Sequence, residues 1–96
     1  MQFVLIAYDG TDEGALERRM KVREEHLAKV KVLKNNGKVL YGGAILDDAG
    51  TMTGSVMVYE VESRKELDEI HKDEPYITAG VWQKIDIKPF RLAKIG

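Results

Sequence analysis

The first third of the chain shows two successive patterns of apolar and polar residues. Residues 2–8 are almost continuously apolar, which indicates a strand covered on both faces. Residues 13–36 follow a helical period that ends at Gly37, and Thr11 or Asp12 is the expected N-cap. The first third therefore predicts a strand followed by a long helix.

The middle of the chain has the pattern of a hairpin. Residues 38–46 and 54–61 are rich in residues typical of strands. They are joined by the turn-rich segment 47–50, which is short enough for two antiparallel neighbours. We therefore expect these two strands to pair with each other.

The last third predicts a second helix and a final strand. Ser63 and the glutamate three residues later form a capping box for a helix over 64–72. Pro75 prevents simple continuation of this helix. The final strand covers 84–92, where Pro89 favours an edge position, a bulge or a break.

The element order β-α-β-β-α-β is that of the ferredoxin-like α+β unit, so we expect residues 1–96 to form a single domain with a four-stranded antiparallel sheet. Two helices cover only one face of such a sheet. The third strand nevertheless carries apolar residues of both parities, with Val56 and Val58 on one face and Met57, Tyr59 and Val61 on the other. The second face needs a partner, which predicts a homodimer.

Composition excludes several classes of protein. Fifteen basic and sixteen acidic residues nearly cancel without forming a basic stripe, so nucleic acid and anionic membranes are not expected as partners. Cysteine is absent, which removes disulfides and thiol chemistry and favours a cytoplasmic location. The first apolar run is too short for a signal peptide, and no segment is long enough to cross a membrane.

The long helix carries an anomaly on its apolar face. At about 100° per residue, we expect two apolar flanks to pack on the sheet: Val22, Val30 and Leu33 form one, and Leu16, Met20 and Leu27 form the other. Arg19, Arg23 and His26 fall inside the same arc. Each alone is compatible with an arginine whose charged end reaches solvent or a histidine with one core hydrogen bond. Together they favour a polar pocket.

Neither a metal site nor a cofactor site is predicted. The other histidine, His71, is expected at the solvated end of the second helix, and two histidines without ligand spacing give little support for zinc. The glycines form no phosphate-binding motif. Gly42 and Gly43 instead indicate a bulge or a close backbone approach.

Several segments together resemble a known family. The run 16–27 is similar to the Arg-x-x-x-Arg-x-x-His-Leu signature of YciI-like, or YCII-related, proteins. The later landmarks of that family match residues 41–43, 53–55, 75–81 and 88–90 in order and approximate spacing. The resemblance covers nearly the whole chain and implies a dimeric α+β barrel with a cleft near the long helix.

The resemblance also implies a histidine–carboxylate dyad. His26 matches the family histidine, and the family's acidic residue usually precedes Pro-Tyr as aspartate. Here Glu74 has that position and Asp73 lies one residue earlier, so Glu74 is the better match and Asp73 the alternative.

The resemblance implies a small-molecule enzyme that catalyses an isomerisation, or an elimination such as dehydrohalogenation, on a small anionic substrate. His26 would transfer the proton, because histidine serves as acid or base near neutral pH. Arg19 or Arg23 would neutralise a substrate oxygen, and Ser55 and Tyr76 would add hydroxyl donors. Two alternatives stay open: a noncatalytic binding or interaction dimer, and a buried structural network without a ligand.

Overall fold

The computed structural model describes residues 1–95, which form four strands and three helices. In chain order these are β1 (Gln2–Asp9), α1 (Ala15–Asn35), β2 (Val39–Leu46), β3 (Met52–Glu60), α2 (Arg64–His71), α3 (Pro75–Thr78) and β4 (Trp82–Phe90). The expected ferredoxin-like order is confirmed, with one short helix more than the sequence predicted.

The four strands form one antiparallel sheet in the order β2-β3-β1-β4. The first strand is central and pairs with β3 on one side and β4 on the other. Pro89 lies opposite Phe3 in the edge strand β4. This confirms the predicted edge position. Proline has no N–H group to donate to a neighbouring strand, and an edge strand tolerates that better than a central strand.

The helices cover one face of the sheet and enclose the core. That face presents Phe3, Leu5, Met57 and Tyr59, all buried. Strand residues of the opposite parity, such as Val4 and Val56, lie outside this core. The predicted division of β3 between two faces is therefore correct. No helix within residues 1–95 is long and apolar enough to cross a membrane.

Only one flank of α1 packs as expected. Val22, Val30 and Leu33 contact the core, whereas Leu16, Met20 and Leu27 are 41–48% exposed. The expectation for the second flank is wrong. Edge strand β2 carries Gly42, Gly43 and Ala44 near this side of the helix, and their small size leaves a cleft between strand and helix.

The sequence predicted the start of α2 correctly, but not the starts of α1 and α3. The Ser63 side chain accepts a hydrogen bond from the Glu66 N–H, as predicted for α2. The expected cap of α1 is wrong, because α1 begins after Gly14 and the Asp12 carboxylate pairs with Arg18. Helix α3 was missed, since Pro75 was interpreted only as a stop although proline also favours the first turn of a new helix.

Candidate active site

His26 and Glu74 form a buried pair between α1 and the start of α3. The distance between His26 Nδ1 and Glu74 Oε1 is 2.6 Å. The same carboxylate oxygen accepts a hydrogen bond from the Tyr76 N–H at 3.1 Å, which makes Glu74 the N-cap of α3. The extended backbone of Glu74, typical of a residue before proline, turns its side chain inward.

Asp73 lies away from this pair. Its side chain is 83% exposed and forms an ion pair with Lys29 on the protein surface. The Lys29 ammonium also donates to the Ile70 carbonyl oxygen, and its hydrogen bond lowers the pKa of the Asp73 carboxyl. Of the two acidic residues considered from sequence, the structure has Glu74 in contact with the histidine.

A cavity of about 220 Å³ opens beside the imidazole. Helix α1 supplies one wall through Arg23, His26 and Leu27. The other wall comes from the cross-strand pairs of β2 and β3, in which Gly42 lies opposite Met57 and Ala44 opposite Ser55. A Cβ atom on Gly42 would approach the end of the Met57 side chain too closely, so any larger residue there would require that thioether to move.

Aromatic side chains fix the orientation of the imidazole. The His26 ring stacks on the Tyr76 ring at 3.9 Å between centroids, with 12° between the planes. The Trp82 ring meets both of these rings edge-on. Burial raises the pKa of Tyr76, which keeps its phenol protonated near neutral pH. Together the three rings restrict rotation of the histidine side chain.

Arg19 belongs to a second buried network. Its Nη1 donates to both carboxylate oxygens of Asp9 at 3.1 and 3.0 Å, and its Nη2 donates to Ser55 Oγ at 2.9 Å. The Trp82 Nε1 also donates to Ser55 Oγ, at 3.0 Å. The buried Arg19 Nε has no hydrogen-bond partner among residues 1–95. The Arg19 charge is thus balanced within the protein.

Sequence reasoning missed Asp9 and Trp82. Asp9 directly follows the apolar run 2–8, and the structure keeps it in the sheet as the last residue of β1. Asp9 pairs with Trp82 across strands at a register shift. An unpaired guanidinium is costly to bury, so the prediction that Arg19 is buried could have indicated an acidic partner such as Asp9.

Arg23 differs from Arg19. It is partly buried and lines the cavity, and within the described part of the chain it makes no ion pair or hydrogen bond. Its guanidinium is therefore available to an anion entering the cavity. Both arginines line the cavity, but Arg19 has a buried acidic partner whereas Arg23 has none among the described residues.

His71 is not solvated, so that expectation is wrong. It is buried at the end of α2, and its Nε2 lies 3.1 Å from the Tyr59 hydroxyl. Burial lowers the pKa of the His71 imidazole and raises that of the Tyr59 phenol. Across residues 1–95, no three histidine, aspartate or glutamate side chains converge as a metal site would require.

The fold and the cavity define the class of protein. It is a ferredoxin-like α+β protein with a buried histidine–carboxylate pair beside a small cavity. The chain belongs to the family of the YCII-related domain, whose family model matches residues 1–91. The chain is 34% identical to protein YciI of Escherichia coli O6:H1, over 95% of this chain and 97% of that protein.

Solved structures are similar over nearly the whole chain. One is 5-chloro-2-hydroxyhydroquinone dehydrochlorinase (TftG) from Burkholderia phenoliruptrix AC1100 in complex with 2,5-dihydroxybenzoquinone. It is 28% identical, with a TM-score of 0.82 over 97% of this chain and 96% of that chain. A dimeric ferredoxin-like protein from Jannaschia sp. CCS1 has 13% identity and a TM-score of 0.53, over 95% of this chain and 98% of that one, and shares the fold alone.

Proposed function

We propose that this protein is a small-molecule enzyme that transfers protons in an isomerisation or elimination, such as loss of a hydrogen halide, on a small anionic enol or hydroxylated ring. The 2.6 Å contact between His26 Nδ1 and Glu74 Oε1 beside the cavity carries this proposal. A carboxylate on one ring nitrogen fixes the tautomer and stabilises the imidazolium that forms when the other nitrogen takes a proton.

His26 Nε2 is the nitrogen we assign to proton transfer. Nδ1 is held by Glu74, whereas Nε2 has no hydrogen-bond partner within residues 1–95. His26 itself lines the cavity. An imidazole held in this way could accept a proton from a substrate hydroxyl and deliver it to a neighbouring carbon, provided that the substrate binds with both atoms close to Nε2.

Arg23 and Tyr76 are assigned to substrate binding. The Arg23 guanidinium has no acidic partner in the described residues, so it would offset the charge of a phenolate or enolate oxygen. The Tyr76 ring supports the imidazole from one side and lines the same cavity. A cavity of about 220 Å³ is large enough for a single six-membered ring with its oxygen substituents.

The similarity to the dehydrochlorinase supports elimination as the reaction to test first. Loss of HCl from 5-chloro-2-hydroxyhydroquinone needs no oxidant. One hydroxyl proton moves to the ring carbon that carries chlorine, and chloride then leaves with its bonding electron pair as a second hydroxyl proton is lost. The organic product is a hydroxybenzoquinone. Both proton movements fit a single histidine base.

We further propose that the protein acts as a homodimer, joined through the sheet face that the helices leave uncovered. Val4, Ile6, Val56 and Val58 make the centre of that face apolar. The Jannaschia protein of the same fold is dimeric, which supports the dimeric state but not a particular interface. The cytoplasmic location stays a prediction from the sequence.

Chloride release from 5-chloro-2-hydroxyhydroquinone tests the catalytic proposal. We expect turnover by the native protein and a loss of roughly 10²-fold or more in kcat/KM for His26→Asn, the usual range for a general acid–base residue. Glu25→Gln, on the exposed side of α1, is the matched control and should retain activity.

Binding of 2,5-dihydroxybenzoquinone, measured by calorimetry, separates the alternatives. Binding without turnover of any halogenated or enolic analogue would favour a noncatalytic binding module. A His26→Asn protein that loses thermal stability, with no ligand bound by either protein, would favour a structural network instead.

A further inference from the structure

The Ser55 hydroxyl receives two hydrogen bonds and donates none among residues 1–95. Its two donors are Arg19 Nη2 at 2.9 Å and Trp82 Nε1 at 3.0 Å. Guanidinium and indole N–H groups are donors only, whereas a serine hydroxyl has two lone pairs and one proton. Both lone pairs are therefore engaged, and the proton is left for another acceptor.

The cavity provides the space for that acceptor. Ser55 is buried, yet it lines the cavity together with His26 and Arg23. We propose that the Ser55 hydroxyl donates a hydrogen bond to a negatively charged oxygen of the ligand, and that Asp9, Arg19 and Trp82 are positioning residues that aim this hydroxyl. The inference rests on the proposed function, because it requires an anionic ligand in the cavity.

This proposal gives the two arginines separate roles. Arg19 has its charge matched by Asp9, with Nη1 3.0 Å from one carboxylate oxygen, so it contributes no free charge to the cavity. Arg23 supplies that charge. Arg19 acts instead through Ser55, as the donor that occupies one of its lone pairs. In this proposal Arg19 has an indirect role, whereas the sequence predicted direct substrate binding by Arg19 or Arg23.

A hydroxyl fixed as a donor selects for ligand chemistry. It favours a phenolate, enolate or carbonyl oxygen at that point and disfavours a group that can only donate, because two donors facing each other leave both protons unpaired. Since Ser55 is oriented before the ligand arrives, stabilising charge on that oxygen requires little rearrangement.

The test measures affinity for 2,5-dihydroxybenzoquinone by isothermal calorimetry. We expect Ser55→Ala to weaken binding roughly 10- to 30-fold, as for loss of a hydrogen bond to a charged oxygen. Thr53→Val is the matched control, since it removes a hydroxyl from the same strand and the same face outside the cavity. The control should change affinity by less than about twofold.

A double-mutant cycle separates positioning from packing. Trp82→Phe keeps an aromatic ring but removes the indole N–H, which frees one Ser55 lone pair and loosens the hydroxyl. We expect binding to weaken by about threefold in the native background and not at all in the Ser55→Ala background. A purely structural role for Trp82 would give the same loss in both backgrounds.

The outcomes distinguish this inference from the proposed function. If Arg23→Gln weakens binding by about tenfold but Ser55→Ala and Trp82→Phe leave it unchanged, the inference is wrong and an anion-binding pocket remains. If the native protein does not bind 2,5-dihydroxybenzoquinone, both are wrong. Should circular dichroism show that Ser55→Ala is unfolded, Trp82→Phe decides alone, and native affinity in that variant contradicts the inference.

Discussion

Glu74 serves two groups with one oxygen atom. Its Oε1 lies 2.6 Å from His26 Nδ1 and accepts from the Tyr76 N–H, while the residue is only 1% exposed. The side chain therefore holds the imidazole and also starts the short helix that carries the stacking tyrosine. A change at Glu74 therefore affects the orientation of His26 in two ways, through the lost contact with Nδ1 and through displacement of the Tyr76 ring.

Charge removal at Glu74 and at Asp73 should have very different effects. We expect Glu74→Gln to lower kcat/KM by roughly 10²-fold, because the amide no longer stabilises the imidazolium. Asp73→Asn removes only an exposed ion pair and should change kcat/KM by less than about twofold. Steady-state kinetics on both variants makes the comparison. Equal losses, or a larger loss at Asp73, would assign the partner role to Asp73.

At the scale of the secondary-structure elements, the sequence predicts features that depend on neighbouring residues but not those that depend on contacts between elements. The capping box of α2 depends on residues three apart, so its pattern was sufficient. The start of α1 was wrong because Asp12 binds Arg18 instead of capping the helix. The pairing of Asp9 with Arg19 and of Tyr59 with His71 depends on contacts between elements, which no local pattern encodes.

The same distinction holds within the candidate site. Helical spacing placed His26 and Arg19 on the buried side of α1. Both Arg19 and Arg23 line the cavity, but spacing alone did not show which of them is neutralised by a buried aspartate. That difference depends on Asp9, which reaches Arg19 only because β1 and α1 pack against each other.

His71 attaches the end of α2 to the sheet and should make stability depend on pH. Its buried imidazole contacts the Tyr59 hydroxyl, and burial lowers the pKa of His71 below the ordinary value near 6.5. Four charged groups also act on it, namely Glu74, Lys29, Asp68 and Arg64. In the unfolded chain this histidine takes up a proton at a higher pH than in the folded protein. The contribution of His71 to the free energy of unfolding is therefore fully present above about pH 6.5 and decreases as the pH falls towards its folded-state pKa.

Urea unfolding at pH values between 5 and 8 measures this dependence. We expect the free energy of unfolding of the native protein to decrease below about pH 6.5. His71→Gln keeps a polar group near Tyr59 but does not titrate, so its profile should be flatter although its stability is lower. His26 is present in both proteins, so the difference between the profiles isolates His71. Parallel profiles would contradict the prediction.

At the scale of the whole molecule, the uncovered face of the sheet is the dominant surface feature. Val56 lies on this face in the central strand β3 and is 37% exposed. The edge strand β4 adds Lys84, Asp86 and Lys88, which are cross-strand partners of Tyr8, Ile6 and Val4. An apolar centre bordered by charged residues is typical of an interface between subunits.

A charge at the centre of this face should separate the subunits. We expect the native protein to be dimeric at micromolar concentration in light scattering, and Val56→Lys to be monomeric because it places an unpaired ammonium in the interface. Val32→Lys, on the exposed surface of α1, is the control and should remain dimeric. A native protein that is monomeric under these conditions would contradict the proposed dimer.

The position of β1 in the centre of the sheet has a consequence for the time at which the protein folds. The first strand pairs Gln2 with Phe90, so β1 gains its second neighbour only after β4, the last strand of the sheet, has been synthesised. Trp82, which orients Ser55, lies on that same last strand. A nascent chain that has not yet reached β4 lacks both this strand and one side of the pocket. We therefore expect the sheet and the site to form together once β4 has been synthesised, and the edge of β1 to stay exposed until then.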